Sequence, residues 1–472
     1  MIHTRQISRG LLVVMSAAVL TLGGCVSQQT YEDPLAVMKH SDESAKRLAA
    51  AKQAQRSLGQ DPAHVAALHE MLWTPGRAVE EHRHAIDLLI AYDEQDFKKV
   101  LSRRLVMISN PVTIEYLMQQ AVERNWKDLS PAIVRSLSRP VPSNLPGPRS
   151  EEAALLKLHP GKTLEQIVFD TFANLDSTAS INEQTAAWHL LRRLTDAQTL
   201  MKLLALAPER TPLVVDLKAA AADLKAVPAG REGVLRLSYM RDPSRKAAWD
   251  EAAARVARLS DEQRLGLELR HMPVLTQIDL DAYITRSRAQ MVQMVGKLLD
   301  KQDHQLRGPT YDGPMRDYPQ DFGLAAKDLS WADLVTIHQI FLAMQSPAVR
   351  QELFSQADRD RLDTSTEYGG VILFDAGQYA AKGFAPMTRQ TDYKFIPSSA
   401  MIETLYSSLV HYHFHAQAHR NRDYAGPGLG DMRLSKNLET HCIVLTFINA
   451  DTLNVDFYQP DGLVVDICSI KR

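Results

Sequence analysis

The sequence lacks a sustained run of lysine and arginine, lacks low-complexity tracts, and has few cysteines. Its 472 residues carry a net charge of -2, which supplies no overall attraction to nucleic acid, so we expect no nucleic-acid partner. Hydrophobic residues make up 45% and charged residues 23% of the chain, the usual mix of a folded protein. A chain of this length exceeds what one hydrophobic core organises, and two or three domains are expected.

The one apolar run near the start of the chain, LLVVMSAAVL, is too short to span a bilayer as a finished helix. Arg5 and Arg9 precede it, and the small residues of LGGC follow it. This order predicts a secretory signal peptide over residues 1–25. LGGC also resembles the lipobox of bacterial lipoproteins, which implies that Cys25 is lipidated. Val26 after the cysteine resembles lipoproteins of the outer membrane, so we expect a lipid anchor in the cell envelope, on the outer membrane and facing the periplasm.

Two cysteines, Cys442 and Cys468, lie outside the signal segment. An oxidising envelope permits them to form a disulfide if the fold brings them together. Two buried free thiols are the alternative, and the sequence leaves both open.

The region after the signal has a helical pattern. Residues 26–60 begin polar and become rich in Ala and Lys, which predicts a tether and a first helix. Over 61–320 apolar residues recur at helical spacing, and Thr163 with Gln166 predicts a capping box. Short breaks favour stacked helix pairs, in a solenoid-like or an irregular helical array, whose surface could take a protein partner. The proline-rich segment 138–150 is expected to subdivide this helical domain.

Two features of the helical region are interpreted as structural. Trp73, Trp126 and Trp188 are expected in the core or lining a groove. The stretch AAAADLKA, residues 219–226, is expected to be a helix surface or a close packing contact.

A second break, at 307–320, precedes a change of pattern, because strands are predicted only beyond residue 365. The predicted strands are YGGVILF (368–374), LVHYHFHA (409–416), HCIVLTFI (441–448), and NVDFY and LVVDI around the turn QPDG. With predicted helices near 398–408 and 430–438, residues 340–472 are expected to form a mixed α/β domain. The predicted fold is therefore multidomain, an all-helical region followed by a mixed α/β domain.

The stretch HYHFHAQAH at 411–419 contains four histidines. On a strand His411, His413 and His415 would share one face. Two such imidazoles can bind one zinc ion, with nitrogen at about 2.0–2.1 Å, and a catalytic site commonly has three protein ligands. His419 is expected to be a loop residue or a substrate contact.

A carboxylate is needed as the third ligand. Asp431, in the segment PGLGD, is predicted to lie in the first turn of a helix, where the positive end of the helix dipole favours a negative charge. Asp423, in the middle of the preceding loop, is the competing candidate. His441, which opens the next strand, is expected to be structural.

These residues resemble the JAMM metallopeptidases, also called MPN domains. That family has a Glu on an early strand, then His-x-His, then Ser-x-x-Asp at a helix start. Here Glu367 in STEYGGVILF, the segment HFH and the segment PGLGD follow in that order, within residues 345–472. The resemblance implies that His413, His415 and Asp431 bind zinc and that Glu367 holds a water molecule as general base. His411 with His413 is the alternative histidine pair.

The resemblance implies an envelope-anchored zinc-dependent peptidase or isopeptidase acting on a protein or peptide. Three departures bear on activity. The family's Ser, which supports the oxyanion, falls on Gly428, so a backbone N–H or Tyr424 would have to replace it. An insertion lengthens the loop around 417–425, and Ala416 stands where the family often has Pro. The alternative function is a catalytically inactive JAMM-like binding or scaffold lipoprotein.

Each site residue also has an ordinary structural interpretation. His413 and His415 could be polar residues on a strand face, and Glu367 could be a strand-edge carboxylate in a salt bridge. Gly369 and Gly370, which follow it, could mark a β-bulge or close backbone packing.

Overall fold

The computed structural model describes residues 30–140, 148–175, 179–305, 320–375, 377–390 and 394–472. The predicted signal segment with Cys25, most of the proline-rich division and most of the second break lie outside these residues. The chain forms two compact units. Of the described residues, those up to Val100 and Met107–Leu117 form the first unit, and Leu101–Val106 and those from Met118 to Arg472 form the second.

The described part of the first unit is helical. Its helices, of which the last two continue into the second unit, are α1 (Pro34–His40), α2 (Ser44–Leu58), α3 (Pro62–Trp73), α4 (Val79–Arg104) and α5 (Pro111–Glu123). Asp93 has non-helical backbone angles and interrupts α4. Inside the unit, Arg47 of α2 forms a buried ion pair with Glu81 of α4 at 2.6 Å, which ties two helices together.

The second unit begins with short helices. They are α6 (Ser130–Leu137), α7 (Ser150–Leu158), α8 (Leu164–Ala173), α9 (Ile181–Leu194), α10 (Ala197–Leu206), α11 (Pro212–Ala219), α12 (Arg231–Met240), α13 (Lys246–Ala257), α14 (Asp261–Arg264), α15 (Met272–Gln277), α16 (Asp281–Ile284), α17 (Arg288–Leu299), α18 (Phe322–Ala325), α19 (Trp331–Gln345) and α20 (Pro347–Leu362). Thr163 and Gln166 form the predicted capping box of α8. Trp126 and Trp188 are buried, as expected.

The Ala-rich stretch contains a helical irregularity that its composition does not signal. Helix α11 continues into a π-helical turn, Ala220–Leu224. Lys225 ends the turn in the left-handed region, with φ of 50°, which a residue with a Cβ seldom adopts.

A mixed six-stranded sheet forms the C-terminal part of the second unit. Its strands are β1 (Gly369–Asp375), β2 (Gln378–Phe384), β3 (Val410–His415), β4 (Cys442–Asn449), β5 (Thr452–Tyr458) and β6 (Val464–Lys471), in the order β2-β1-β3-β4-β5-β6. Only β3 and β4 are parallel; the other pairs are antiparallel. The chain also forms α21 (Ser399–Leu405) and α22 (Leu429–Leu438). The predicted α/β character is confirmed, whereas β2 was not predicted.

Helices cover both faces of the sheet. On one face the Tyr412 hydroxyl donates to Gln356 Oε1 of α20 at 2.8 Å. On the other face Val371 of β1 packs with Met401 of α21 and Leu438 of α22. Because side chains alternate along a strand, the histidines at odd positions of β3 point toward the α21 and α22 layer.

The Gly369–Gly370 pair is explained by close packing. A Cβ at Gly369 would lie 2.9 Å from the ring of Phe395, and one at Gly370 would lie 2.6 Å from the Tyr412 hydroxyl and 2.1 Å from the Lys382 carbonyl oxygen. β1 can therefore pass between these groups only because it has no side chain at either position.

Glu439, the residue that ends helix α22, connects this helix to the helical layer through a hydrogen bond. Glu439 is left-handed, with φ of 48°, and its Oε2 accepts a hydrogen bond from the Ala229 N–H at 3.1 Å. A Cβ would lie 2.7 Å from a Glu439 carboxylate oxygen at Gly230 and 2.3 Å from one at Gly233. The carboxylate therefore fits at the start of α12 because both residues are glycine.

Across the part of the chain that the structure describes, none of the helices combines the length and the apolar character needed to cross a bilayer.

Candidate metal centre

Two histidines and one aspartate converge beside the sheet. His413 and His415 lie on β3, and Asp431 lies in the first turn of α22. His413 Nε2 is 3.2 Å from Asp431 Oδ1, and His415 Nε2 is 3.4 Å from Asp431 Oδ2. The three side chains can each offer one ligand atom within 4.8 Å of the others. The structure thus brings together the three residues predicted as ligands.

The distances suit a small divalent ion. Bonds of about 2.0–2.1 Å in a tetrahedral site place ligand atoms about 3.3 Å apart. The two nitrogen–oxygen distances, 3.2 and 3.4 Å, bracket that value. In the described part of the chain, His413 Nε2 is buried, and its 3.2 Å contact with Asp431 Oδ1 does not have the geometry of a hydrogen bond. A buried polar atom without a hydrogen bond is costly unless a ligand binds it.

The outer nitrogen of each ring is also held. His415 Nδ1 lies 2.8 Å from the Tyr424 carbonyl oxygen, which can only accept, so Nδ1 keeps its proton and Nε2 is the nitrogen left to face Asp431 or a metal ion. His413 Nδ1 lies 3.4 Å from the Tyr458 hydroxyl. Metal-binding histidines are usually oriented in this way by a group on their other nitrogen.

Charge in the site is concentrated on Asp431. Burial opposes ionisation of this carboxyl, but His413 and His415 hold the pKa of Asp431 well below its usual range. Burial likewise opposes the charged form of His415, but the hydrogen bond and charge of Asp431 outweigh it and raise the pKa of His415 to about 9. The site therefore favours a negative carboxylate facing positive charge, which a proton or a metal ion can supply.

His411, the alternative ligand, is not part of this group. Its Nδ1 donates to the Gly370 carbonyl oxygen at 2.9 Å, and its ring stacks on Phe395 with centroids 5.8 Å apart. Burial lowers the pKa of His411 to about 3. It is a neutral core histidine beside the site.

Glu367 lies two residues before β1 and is 5% exposed. The antiparallel register pairs Gly369 with His413, and two residues further on it would bring Glu367 opposite His415. The Glu367 carboxylate also adds to the effect of Asp431 on the pKa of His415. The predicted base and the predicted ligands therefore share one region of the structure.

A pair of amides that the sequence did not reveal holds Glu367. Gln417 Nε2 donates to Glu367 Oε1 at 3.4 Å, and Asn421 Nδ2 donates to Gln417 Oε1 at 2.9 Å. Asn421 Nδ2 also donates to the His415 carbonyl oxygen at 3.1 Å. Since each oxygen can only accept, these contacts orient both amides and direct the Gln417 NH₂ group toward the carboxylate. Both amides lie in the loop that appeared as an insertion.

Gly428, at the oxyanion position, immediately precedes α22. Its N–H donates to Asp431 Oδ2 at 2.6 Å, so this backbone donor already serves the ligand carboxylate. A Cβ at Gly428 would lie 3.2 Å from the same oxygen. Tyr424 holds His415 through its carbonyl oxygen, and its side chain is 51% exposed.

A second group of buried residues, His271, Asp333 and His441, could also hold a metal ion by its ligand spacing. His271 Nε2 and His441 Nε2 lie 2.9 and 3.1 Å from Asp333 Oδ1. Arg270 Nε donates to His441 Nε2 at 3.0 Å, however, and places a permanent positive charge against the nitrogen that would bind the ion. The donor set of the first group is the better fit to a cation. His441 is buried, as a structural residue would be.

Cys442 and Cys468 are both buried and free. Of the two alternatives, a disulfide and two buried free thiols, the structure has the free thiols. Burial raises the pKa of the Cys442 thiol to about 12.

Comparison of the chain with family models, with curated proteins and with solved structures found no match in any of the three.

Proposed function

We propose that the protein is a JAMM-like, zinc-dependent peptidase or isopeptidase, anchored in the cell envelope through Cys25, in which His413, His415 and Asp431 hold the metal. The observation that carries the proposal is the convergence of the three side chains at distances of 3.2 and 3.4 Å, with Glu367 close to the same group. When bound, zinc would supply a water molecule with a pKa near 7 and a Lewis acid for the substrate carbonyl.

The protein's own groups have separate roles in this proposal. Glu367 accepts a proton during attack and returns it to the leaving amine. Gln417 donates to Glu367 Oε1 and keeps the carboxylate oriented while it does so. Tyr424 and Tyr458 hold the outer nitrogens of the two ligand rings. The helical region, proposed to be solenoid-like, would present a protein or peptide substrate or a partner.

Metal analysis of the purified protein tests the first half of the proposal. We expect about one equivalent of zinc in the wild type and its loss in His413→Ala and His415→Ala, since each variant removes one of three protein ligands. His419→Ala is the matched control, because His419 follows the same strand but is not in the ligand group. A wild-type protein that neither contains nor takes up zinc would refute the proposal.

Hydrolysis tests the second half. The zinc-loaded protein is incubated with a mixed peptide library and with peptides cross-linked through a lysine side chain, and new termini are identified by mass spectrometry. Glu367→Gln should retain zinc and lose cleavage, because an amide cannot accept the proton. Equal cleavage by Glu367→Gln and wild type would exclude Glu367 as the base.

A catalytically inactive binding or scaffold protein is the second candidate. It is favoured by Gly428, which has no hydroxyl and whose N–H is already bonded to Asp431. Loss of one oxyanion donor costs about 10²–10³ in rate in other hydrolases. This candidate predicts zinc binding without cleavage of any peptide in the same assay.

A further inference from the structure

A cleft lies in the helical part of the second unit, and none of the candidate metal ligands lines it. The end of α9, the start of α10, the segment after the π-helical turn, and α14 with the segment after it enclose about 480 Å³. Met201, Val227 and Leu267 give it apolar walls, and Leu265, also in the lining, is 53% exposed. The size and the apolar lining suit a small organic molecule.

The negative charges of this cleft are already paired. Asp261 Oδ1 accepts from Arg264 at 3.1 Å. Glu268 Oε2 lies 2.9 Å from Arg270. Neither carboxylate is therefore an uncompensated charge that would bind a cation.

Two positive charges in the lining are not paired. Among the described residues, neither Arg192 nor Lys225 has an ion-pair partner, and Arg192 Nε is buried with no hydrogen bond. A buried donor without an acceptor destabilises the folded chain. The cleft therefore has an excess of positive charge with which an anionic ligand would pair.

Lys225 reaches the cleft through an unfavourable backbone conformation. It has φ of 50° directly after the π-helical turn, and left-handed angles cost a residue with a Cβ free energy that glycine avoids. Both a π-helical turn and a left-handed non-glycine residue occur preferentially at functional sites.

We propose that this cleft binds a small amphiphilic carboxylate, with its anionic group on Arg192 and Lys225 and its apolar group against Met201 and Val227. A planar guanidinium matches the two oxygens of a carboxylate. Inorganic phosphate would pair with the cations but leave the apolar walls uncovered. The proposal does not depend on the metal centre.

Calorimetric titration of the full protein with N-acetyl-alanyl-leucine, with its C-terminal amide and with inorganic phosphate tests this assignment. The free carboxylate should bind about tenfold or more tightly than the amide, because hydrogen bonds to a charged group are lost in the amide. Arg192→Gln and Lys225→Gln should each weaken binding by a similar factor. Lys202→Gln, an exposed position on α10 outside the lining, removes the same charge and should bind as wild type does.

Lys225→Gly is a further variant, in which glycine adopts the left-handed backbone conformation without strain. It should unfold at the same or a higher urea concentration than the wild type and still lose affinity for the carboxylate. The proposal is overturned if the dipeptide does not bind at millimolar concentrations, if the amide or phosphate binds as tightly as the carboxylate, or if the Arg192 and Lys225 variants retain wild-type affinity.

Discussion

Replacement of Gly233 by alanine should break the hydrogen bond by which Glu439, at the end of α22, contacts the residues before α12. The new Cβ would lie 2.3 Å from Glu439 Oε2 and 3.0 Å from Pro228 Cβ, whereas ordinary contacts begin near 3.4 Å. The carboxylate would have to move by about 1 Å, and its hydrogen bond to the Ala229 N–H, 3.1 Å long, would be lost. Overpacking and the loss of a charged hydrogen bond together should cost about 2–5 kcal/mol of the free energy of unfolding.

Urea denaturation of the purified protein, followed by circular dichroism, measures this loss. Gly430→Ala is the matched control, because it lies in α22 and a Cβ there meets nothing within 4 Å. It should leave stability unchanged or raise it by up to about 1 kcal/mol. If the clash is with the carboxylate, Gly233→Ala should cost much less in a Glu439→Ala background. A Gly233→Ala protein within about 0.5 kcal/mol of the wild type would refute the reasoning.

Three further predictions concern the sheet and its surroundings. The contact with Asp466 raises the pKa of His304 from 6.5 to about 9. The contact should therefore stabilise the folded protein fully below pH 6.5, and this contribution should fade as the pH rises through 9. Urea midpoints measured across that range should show the change in the wild type and not in His304→Gln. Gly370→Ala should destabilise the protein by about 1–3 kcal/mol or more, because its Cβ would meet the Tyr412 hydroxyl and a carbonyl oxygen; a midpoint equal to wild type contradicts this. The two buried thiols should react with a disulfide reagent only after denaturation, and rapid reaction of the folded protein would show that they are accessible.

Local periodicity predicted where the candidate ligands lie, whereas the choice of His413, His415, Asp431 and Glu367 rested on the resemblance to the JAMM metallopeptidases. The alternation of β3 places His413 and His415 on one face, and the Gly-rich start of α22 places Asp431 in the first helical turn. Both are properties of short segments, and the strand and helix periods determine them. The parallel pairing of β3 with β4 then fixes where the helix between them begins, so the convergence follows from nearby residues.

What the sequence did not reveal depends on contacts between distant segments or on weak local signals. β2, with the sequence QYAAKGF, is an exposed edge strand with few β-branched or large apolar residues, so its strand signal is weak. The sequence gives no role to Gly233, because the Glu439 carboxylate that occupies the space beside it is distant in the chain. The amides of Gln417 and Asn421 likewise acquire a role only when the loop folds over Glu367.

The three candidate ligands all come from one continuous β-α segment, β3 with the start of α22, whereas Glu367 comes from the segment that leads into β1. In the proposed mechanism, a single substitution at Glu367 would therefore abolish proton transfer and leave the three candidate ligands intact. In the proposed enzyme, cation binding and bond cleavage would thus be separable traits, and a lineage could lose the second while natural selection preserved the first.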